Sequence, residues 1–319
     1  MKILVAGGAG YIGSRLVPEL LNHNYEVRVV DLLWFGNHLP LAVDLVEKDV
    51  LDLTESDLAG FDQVIFLAGL SNDPMAEFSP AMNFISNASA PAYLAYLSKK
   101  CGVKRFIYAD SCSVYGYAMD KLYDEESPVQ SNYPYGISKL QGEQGVMQLE
   151  DDGFSVICLR QGTVSGFSPR MRFDLIVNTM YMTAISEKVI TVNNPSIWRP
   201  ILDIGDAVMG YIRAIQVDQS ISGVFNLASG NYTVGQVADS VRNFFEKRSP
   251  GEVRLDILKN RDFRNYKVST EKGSNVLGVR FHGSVESILR DLEANCGRDY
   301  PFEADNHYNI RVFKELIKE

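Results

Sequence analysis

The feature that most constrains this chain lies at its start. An apolar run, Lys2-Ile3-Leu4-Val5-Ala6, leads into Gly7-Gly8-Ala9-Gly10-Tyr11-Ile12-Gly13, and a helical pattern follows over 13–22. Gly7, Gly10 and Gly13 have GxxGxxG spacing. Glycines placed this way allow a tight turn and a close approach of backbone to a ligand. The helix that follows offers unpaired N–H groups and the positive end of its dipole. Asp31 closes the next apolar run, 18 positions after Gly13. A carboxylate there accepts hydrogen bonds from an adenosine ribose and repels a 2′-phosphate. Strand, glycines, helix and aspartate in this order predict a dinucleotide site that takes NAD rather than NADP. The competing reading is an ordinary glycine turn followed by a loop aspartate.

The same rhythm continues. Apolar runs over 2–6, 26–31, 45–48, 63–67, 105–109 and 155–160 alternate with helical patterns over 13–22, 88–101 and 135–150. Buried β runs between amphipathic helices predict an α/β fold, a Rossmann-type doubly wound parallel sheet covered on both faces. After about residue 165 the pattern becomes mixed, with turn signals over 166–169, 193–195 and 249–251 and helical patterns over 234–247 and 285–293. The expected division is a dinucleotide-binding domain over 1–165 and a smaller mixed α/β C-terminal substrate region over 166–319, with the chain crossing back to the first domain. A length of 319 residues suits this, at roughly 150 residues per domain.

Composition narrows the function. With 46% hydrophobic and 22% charged residues the chain has a sizeable core and is not disordered. A net charge of −9 and no Lys/Arg block exclude nucleic acid or an anionic membrane as the main partner. No apolar run reaches the roughly 18 residues of a membrane span. Met1 leads straight into a strand without a leader pattern, and cytoplasmic residence is the expectation. Cys101, Cys112, Cys158 and Cys296 lack CxxC spacing and read as reduced thiols. His23, His38, His282 and His307 are scattered, so no metal site is expected.

The chemistry concentrates in two segments. In Tyr135-Gly136-Ile137-Ser138-Lys139, residues 135 and 139 share one helix face a turn apart. An ammonium beside a phenol lowers its pKa, and such a phenol can accept a proton from a sugar hydroxyl as hydride leaves the carbon. The run over 105–109 continues into Asp110-Ser111-Cys112-Ser113-Val114-Tyr115-Gly116. Hydroxyls at the carboxyl end of a parallel strand face the ligand crevice, where a serine can hold the same substrate oxygen. Turn capping is the plain alternative for either serine.

Together these segments resemble the extended short-chain dehydrogenase/reductase family, the nucleotide-sugar epimerases and dehydratases. GGAGYIG at 7–13, Asp31, GVKRFIYADSCSVYG at 102–116 and YGISK at 135–139 carry the likeness, which continues through 159–166, 199–208 and 223–228. The resemblance implies NAD held by Gly7, Gly10, Tyr11, Ile12, Gly13 and Asp31, with Asp49 and Val50 at adenine. Ala68 and Gly69 fall near the cofactor ribose, and Asn87 supports the site. It implies Ser111, Tyr135 and Lys139 as catalytic residues, with Tyr135 and Lys139 also touching cofactor and Lys139 lowering the tyrosine pKa. A nucleotide-diphosphate sugar would meet Ser113, Arg172, Asn178, Arg199 and Arg264. Trp198 either stacks on a base or fills core, and core is the expectation. Helices near 88–101 and 135–150 would form a four-helix bundle in a homodimer, through Tyr93, Tyr96, Met147 and Leu149.

The departures from the family pattern select among its reactions. Dehydratases carry an acidic pair where this chain has Cys112-Ser113, and decarboxylases carry a glutamate at the second of these positions. The cysteine of 3,5-epimerases stands one residue later than Cys112. Thr163, Pro200, Asp203 and Gly205 also replace usual residues, while Asp206 is kept. What survives is redox at C4. The leading expectation is an NAD-dependent nucleotide-sugar 4-epimerase passing through a 4-keto sugar. The alternatives are a C4 dehydrogenase or 4-keto reductase on the same substrates, and an NAD-binding regulator without catalysis.

Overall fold

In the computed structural model, residues 1–248, 250–258 and 265–317 are described. Seven strands form the centre: β1 (Lys2–Ala6), β2 (Glu26–Asp31), β3 (Asp44–Glu47), β4 (Gln63–Phe66), β5 (Arg105–Ser111), β6 (Ser155–Gln161) and β7 (Gly223–Leu227). Their spatial order is β7-β6-β5-β4-β1-β2-β3, and every neighbouring pair is parallel. The order reverses at β1, between β4 and β2, and the carboxyl ends of the strands open a crevice there.

Alternate side chains of each strand feed two separate cores. Ile3, Val5, Ile65, Ile107 and Ile157 pack with Leu16 and Leu20 of α1 (Gly13–Asn22). Leu4, Val64, Phe66, Phe106 and Val156 face the other way, toward Leu94 of α2 (Ala90–Lys100) and Val146 of α3 (Pro134–Met147). The chain returns to the sheet well after residue 165. β7 pairs with β6, and α4 (Ile204–Gln216) packs on the α1 side. Arg105, fully buried, clamps that return: Nη1 donates to the carbonyls of Ala214 at 2.9 Å and Val217 at 2.8 Å.

The remaining strands are small. Trp198–Asp203 lies between Thr163–Ser165 and Gly230–Thr233, Val189–Asn193 pairs with Arg254–Leu258, and Tyr117–Tyr123 pairs with Asn265–Val268. A last helix, α5 (Asn309–Leu316), buries Phe313 against Leu70 and Met75.

Periodicity marked the first six strands and α1 closely. It passed over β7, α4, α5 and the helix Ile176–Ser186; in the last of these only Ser186 is exposed, which hides the polar stripe. The pattern over 88–101 begins as regular helix at Ala90, after a π-helical turn over Ile85–Ser89. Trp198 is half-buried with the Lys267 ammonium 4.9 Å from its ring, not a core residue. Ser249, in the turn expected over 249–251, lies outside the described residues. No helix among the described residues is long and apolar enough to cross a membrane.

Candidate active site

The crevice at the strand ends encloses about 590 Å³. Gly7, Gly10, Tyr11, Ile12 and Gly13 form one wall. Gly7 takes φ +79°, and a Cβ there would sit 2.5 Å from the Ala68 nitrogen, so only glycine lets the turn lie flat on the segment after β4. The first turn of α1 holds no acidic residue and no side-chain cap, which leaves its N-terminus open to an anion. Asp31 ends β2 and accepts from Ala9 N–H at 2.9 Å and Leu33 N–H at 2.8 Å. Each carboxylate oxygen keeps a second lone pair for a hydroxyl. Burial pushes this carboxyl above its ordinary value, against the pull of those two N–H groups and of Arg170. Asp49 and Val50 follow β3, and Ala68 and Gly69 follow β4; none of the four lines the crevice, and Val50 packs in the core with Leu4 and Val30.

The catalytic candidates converge from two elements. Ser111 is the last residue of β5 and accepts from Ser113 N–H, and the two hydroxyls are 2.7 Å apart. Tyr135 stands in the first turn of α3. A Cβ at Gly136 would lie 2.6 Å from the Ser113 carbonyl oxygen, so the missing side chain lets the helix start against the serine loop. Ser111, Ser113, Tyr135 and Lys139 all line the crevice. Asn87 does not line it. It is fully buried behind, and its amide donates to Leu70 O at 2.9 Å and Asn83 Oδ1 at 2.9 Å.

Burial pushes the Tyr135 phenol well up; the hydrogen bond with Ser111 and the Arg172 guanidinium oppose that, while Asp110 and Asp73 add to it. Lys139 Nζ donates to the Ala109 carbonyl at 2.7 Å and lies 4.8 Å from the centre of the Tyr108 ring. Burial pulls Lys139 itself down to about 8, with Asp110 opposing. A folded-state value below the unfolded one means the unfolded chain holds the extra proton between about 8 and the ordinary lysine range. Stability from this group therefore rises with pH across that window. The wild type should gain on a Lys139→Met variant between pH 8 and 10, measured by urea unfolding of the protein stripped of cofactor. A constant or shrinking difference would disprove it.

Beneath the floor, Arg160 forks onto Glu143 at 2.7 and 2.8 Å and donates to Tyr115 Oη at 2.9 Å. The Asp110 carboxyl is wholly buried, 3.7 Å from Arg160 Nε, and burial, with Glu143 beside it, pushes it far up. Cys112 is fully buried, its thiol on the Arg160 carbonyl and away from the crevice.

The substrate candidates divide. Arg172 lines the crevice with its fork on Asp174 at 2.8 and 3.0 Å, and Asn72 donates to the same carboxylate at 2.8 Å. Arg199 lines it from the strand Trp198–Asp203. Asn178 is fully buried, and its amide is spent on Gly166 N–H at 3.0 Å, the Arg172 carbonyl at 2.9 Å and Tyr11 Oη at 3.1 Å. It braces the wall instead of facing a ligand. Arg264 lies outside the described residues. Phe35, Arg170 and Asn309 also line the crevice and were not singled out from the sequence. Arg170 carried the one available signal, standing two residues from Arg172 in Ser168-Pro169-Arg170-Met171-Arg172. Among the described residues no group of three His, Cys, Asp or Glu side chains gathers to hold a metal.

This donor set fits a dinucleotide: an open helix N-terminus, a carboxylate ending β2, and a buried guanidinium, Arg170, whose Nε has no partner. Comparison with known proteins agrees. The model of the NAD dependent epimerase/dehydratase family matches residues 3–228. UDP-glucose 4-epimerase 2 of Arabidopsis thaliana is 28% identical over 332 residues, covering 91% of this chain and 93% of that protein. TunA, described as an NAD dependent NDP-hexosamine 5,6-dehydratase, superposes with a TM-score of 0.81 at 26% identity over 92% of this chain and 96% of that one. MoeE5, solved with UDP-glucuronic acid and NAD, gives a TM-score of 0.81 at 24% identity over 91% and 97%, a likeness of fold.

Proposed function

We infer that this chain, which belongs to the NAD dependent epimerase/dehydratase family, is an NAD-dependent nucleotide-sugar 4-epimerase working through a transient 4-keto sugar. The observation that carries this reading is the meeting of Ser111, Tyr135 and Lys139 around one crevice, with a buried thiol and a hydroxyl at 112 and 113 where water elimination would need acids.

NAD, when bound, supplies the acceptor and donor of hydride at C4 and, while oxidised, a positive charge near the tyrosine. Tyr135 takes the proton of the C4 hydroxyl. Its burial makes it a reluctant base on its own, and the hydrogen bond with Ser111 and the Arg172 guanidinium pull its pKa back down. Ser111 holds the C4 oxygen, with Ser113 fixing the direction of its hydroxyl. Tyr135 then returns the same proton after the sugar has turned its other face. The cycle consumes no net proton, which suits a phenol closed off from water. Arg199 and Arg172 serve the substrate diphosphate and sugar. The likeness to UDP-glucose 4-epimerase supports a UDP-sugar as substrate.

α2 and α3 lie side by side, and Tyr96 of α2 is 57% exposed. Tyr93, three residues earlier on α2, is exposed as well, and this aromatic pair on one helix face supports a homodimer through a four-helix bundle. Four unpaired cysteines fit a reducing, cytoplasmic setting.

The test is direct. Purified protein is denatured, and the released nucleotide is identified by mass. Separate samples receive UDP-glucose, UDP-galactose or UDP-glucuronic acid. Stoichiometric NAD and formation of the 4-epimer without standing NADH are expected. Steady NADH accumulation with a released keto sugar would replace the reading with a C4 dehydrogenase. Neither NAD nor turnover would leave a binding protein.

A further inference from the structure

Arg170 is 2% exposed and lines the crevice. Among the described residues its hydrogen bond goes from Nη2 to Asn309 Oδ1, Nε is buried without a partner, and no carboxylate pairs with it. The carboxylate of Asp174 has both oxygens taken by Arg172 and Asn72. A buried cation without an anion is costly and draws its pKa down, and burial brings this guanidinium to about 9. Such a group is stable in its charged form once an anion arrives.

The residues around it are arranged to keep it in place. The guanidinium lies 3.7 Å from the centre of the Phe35 ring, on the loop after Asp31. Asn309, at the start of α5, accepts from Arg170 and donates to Ser71 Oγ at 2.6 Å, on the loop after β4. Phe313, one turn further along α5, is fully buried among Leu70 and Met75 and anchors the helix. The C-terminal helix thus ties Arg170 to two loops at the carboxyl ends of the sheet. Phe35 follows Asp31 by four residues, so the contact with its ring sets Arg170 at the β2 side of the crevice. Arg199, on the strand Trp198–Asp203, serves the other part.

We propose that Arg170 is a cofactor-binding residue that holds the diphosphate of NAD, and that Asn309 of α5 positions it. The proposal rests on the NAD reading above. It adds a guanidinium to the backbone N–H groups of the glycine turn, and it gives the C-terminal helix a part in retaining the cofactor.

Binding of NAD, ADP-ribose, adenosine and UDP to protein stripped of nucleotide, measured by calorimetry for wild type and Arg170→Met, tests it. Loss of a charge-assisted contact should weaken NAD and ADP-ribose by about tenfold or more. Adenosine and UDP should bind within about twofold of wild type. The stripped variant should melt no lower than the stripped wild type, since an unpaired buried charge has been removed, while its stabilisation by NAD shrinks. Equal NAD affinity in the two proteins, a matching loss for adenosine, or a loss confined to UDP would each overturn the proposal. Should the methionine protein not fold, Arg170→Lys keeps the charge and loses the fork; a weakening of NAD is expected, and unchanged affinity overturns the proposal. A wild type that binds no NAD at all would overturn the cofactor reading itself, a result distinct from wild type and variant binding alike.

Discussion

Tyr135→Phe should lower 4-epimerisation by about a hundred- to ten-thousandfold, the usual range for loss of a positioned acid–base group. The phenol is the acceptor for the C4 proton, and phenylalanine removes that oxygen while keeping the ring that closes the crevice beside Ser111. Bound NAD should stay, because the groups around the glycine turn and Asp31 are untouched. The measurement is turnover of a UDP-sugar together with NAD content per chain. A loss of turnover matched by loss of NAD would mean the tyrosine holds cofactor and is not the base. Turnover within a few-fold of wild type would remove Tyr135 from the chemistry. The pH course adds a second check. Burial holds the phenol high, so the wild-type rate should rise with pH as phenolate becomes available. The phenylalanine variant should lose that limb.

Arg160→Met should destabilise the fold by about 3–5 kcal/mol, the range for breaking a buried ion pair by removing one partner. Arg160 is 4% exposed and bridges three groups under the floor of the site. It forks onto Glu143 of α3, donates to Tyr115 Oη, and lies 3.7 Å from the Asp110 carboxylate. Methionine fills much of the volume but leaves Glu143 buried without its cation. Urea unfolding measures the loss, and replacing Glu143 with methionine as well should recover part of it, since the paired removal leaves no orphan charge. A cost below about 1 kcal/mol would mean that water or relaxation of α3 satisfies Glu143. The pair ties α3 to β6, so the variant should also loosen the approach of Tyr135 to Ser111 and raise KM more than the stability loss alone explains.

Much of this protein could be read along the chain because its informative contacts are short-range. The run over 2–6, the glycines at 7, 10 and 13, and Asp31 lie within one strand–helix–strand unit, and backbone geometry makes their spacing meaningful. Tyr135 and Lys139 share a helix face for the same local reason. Strands buried on both faces announce themselves as apolar runs, which is why β1, β4, β5 and β6 were found to within two residues.

The rest depended on distant partners. Asn178 looked like a polar helix residue facing ligand, yet its amide is consumed by Gly166 and Arg172, which the fold brings back to it. Lys139 shares a helix face with Tyr135, but that its ammonium donates to the carbonyl of Ala109, 30 positions away, is decided by the fold. Arg170 stands beside Arg172 in sequence and differs from it in one respect. Arg172 meets a carboxylate two residues on, whereas Arg170 meets an asparagine 139 positions away. Local pattern therefore dictated the sheet, the glycine turn and the catalytic helix, through the periods of strand and helix. Packing across the whole chain decided that Arg170 faces the crevice without a carboxylate among the described residues, because burial and charge balance are properties of neighbours in space.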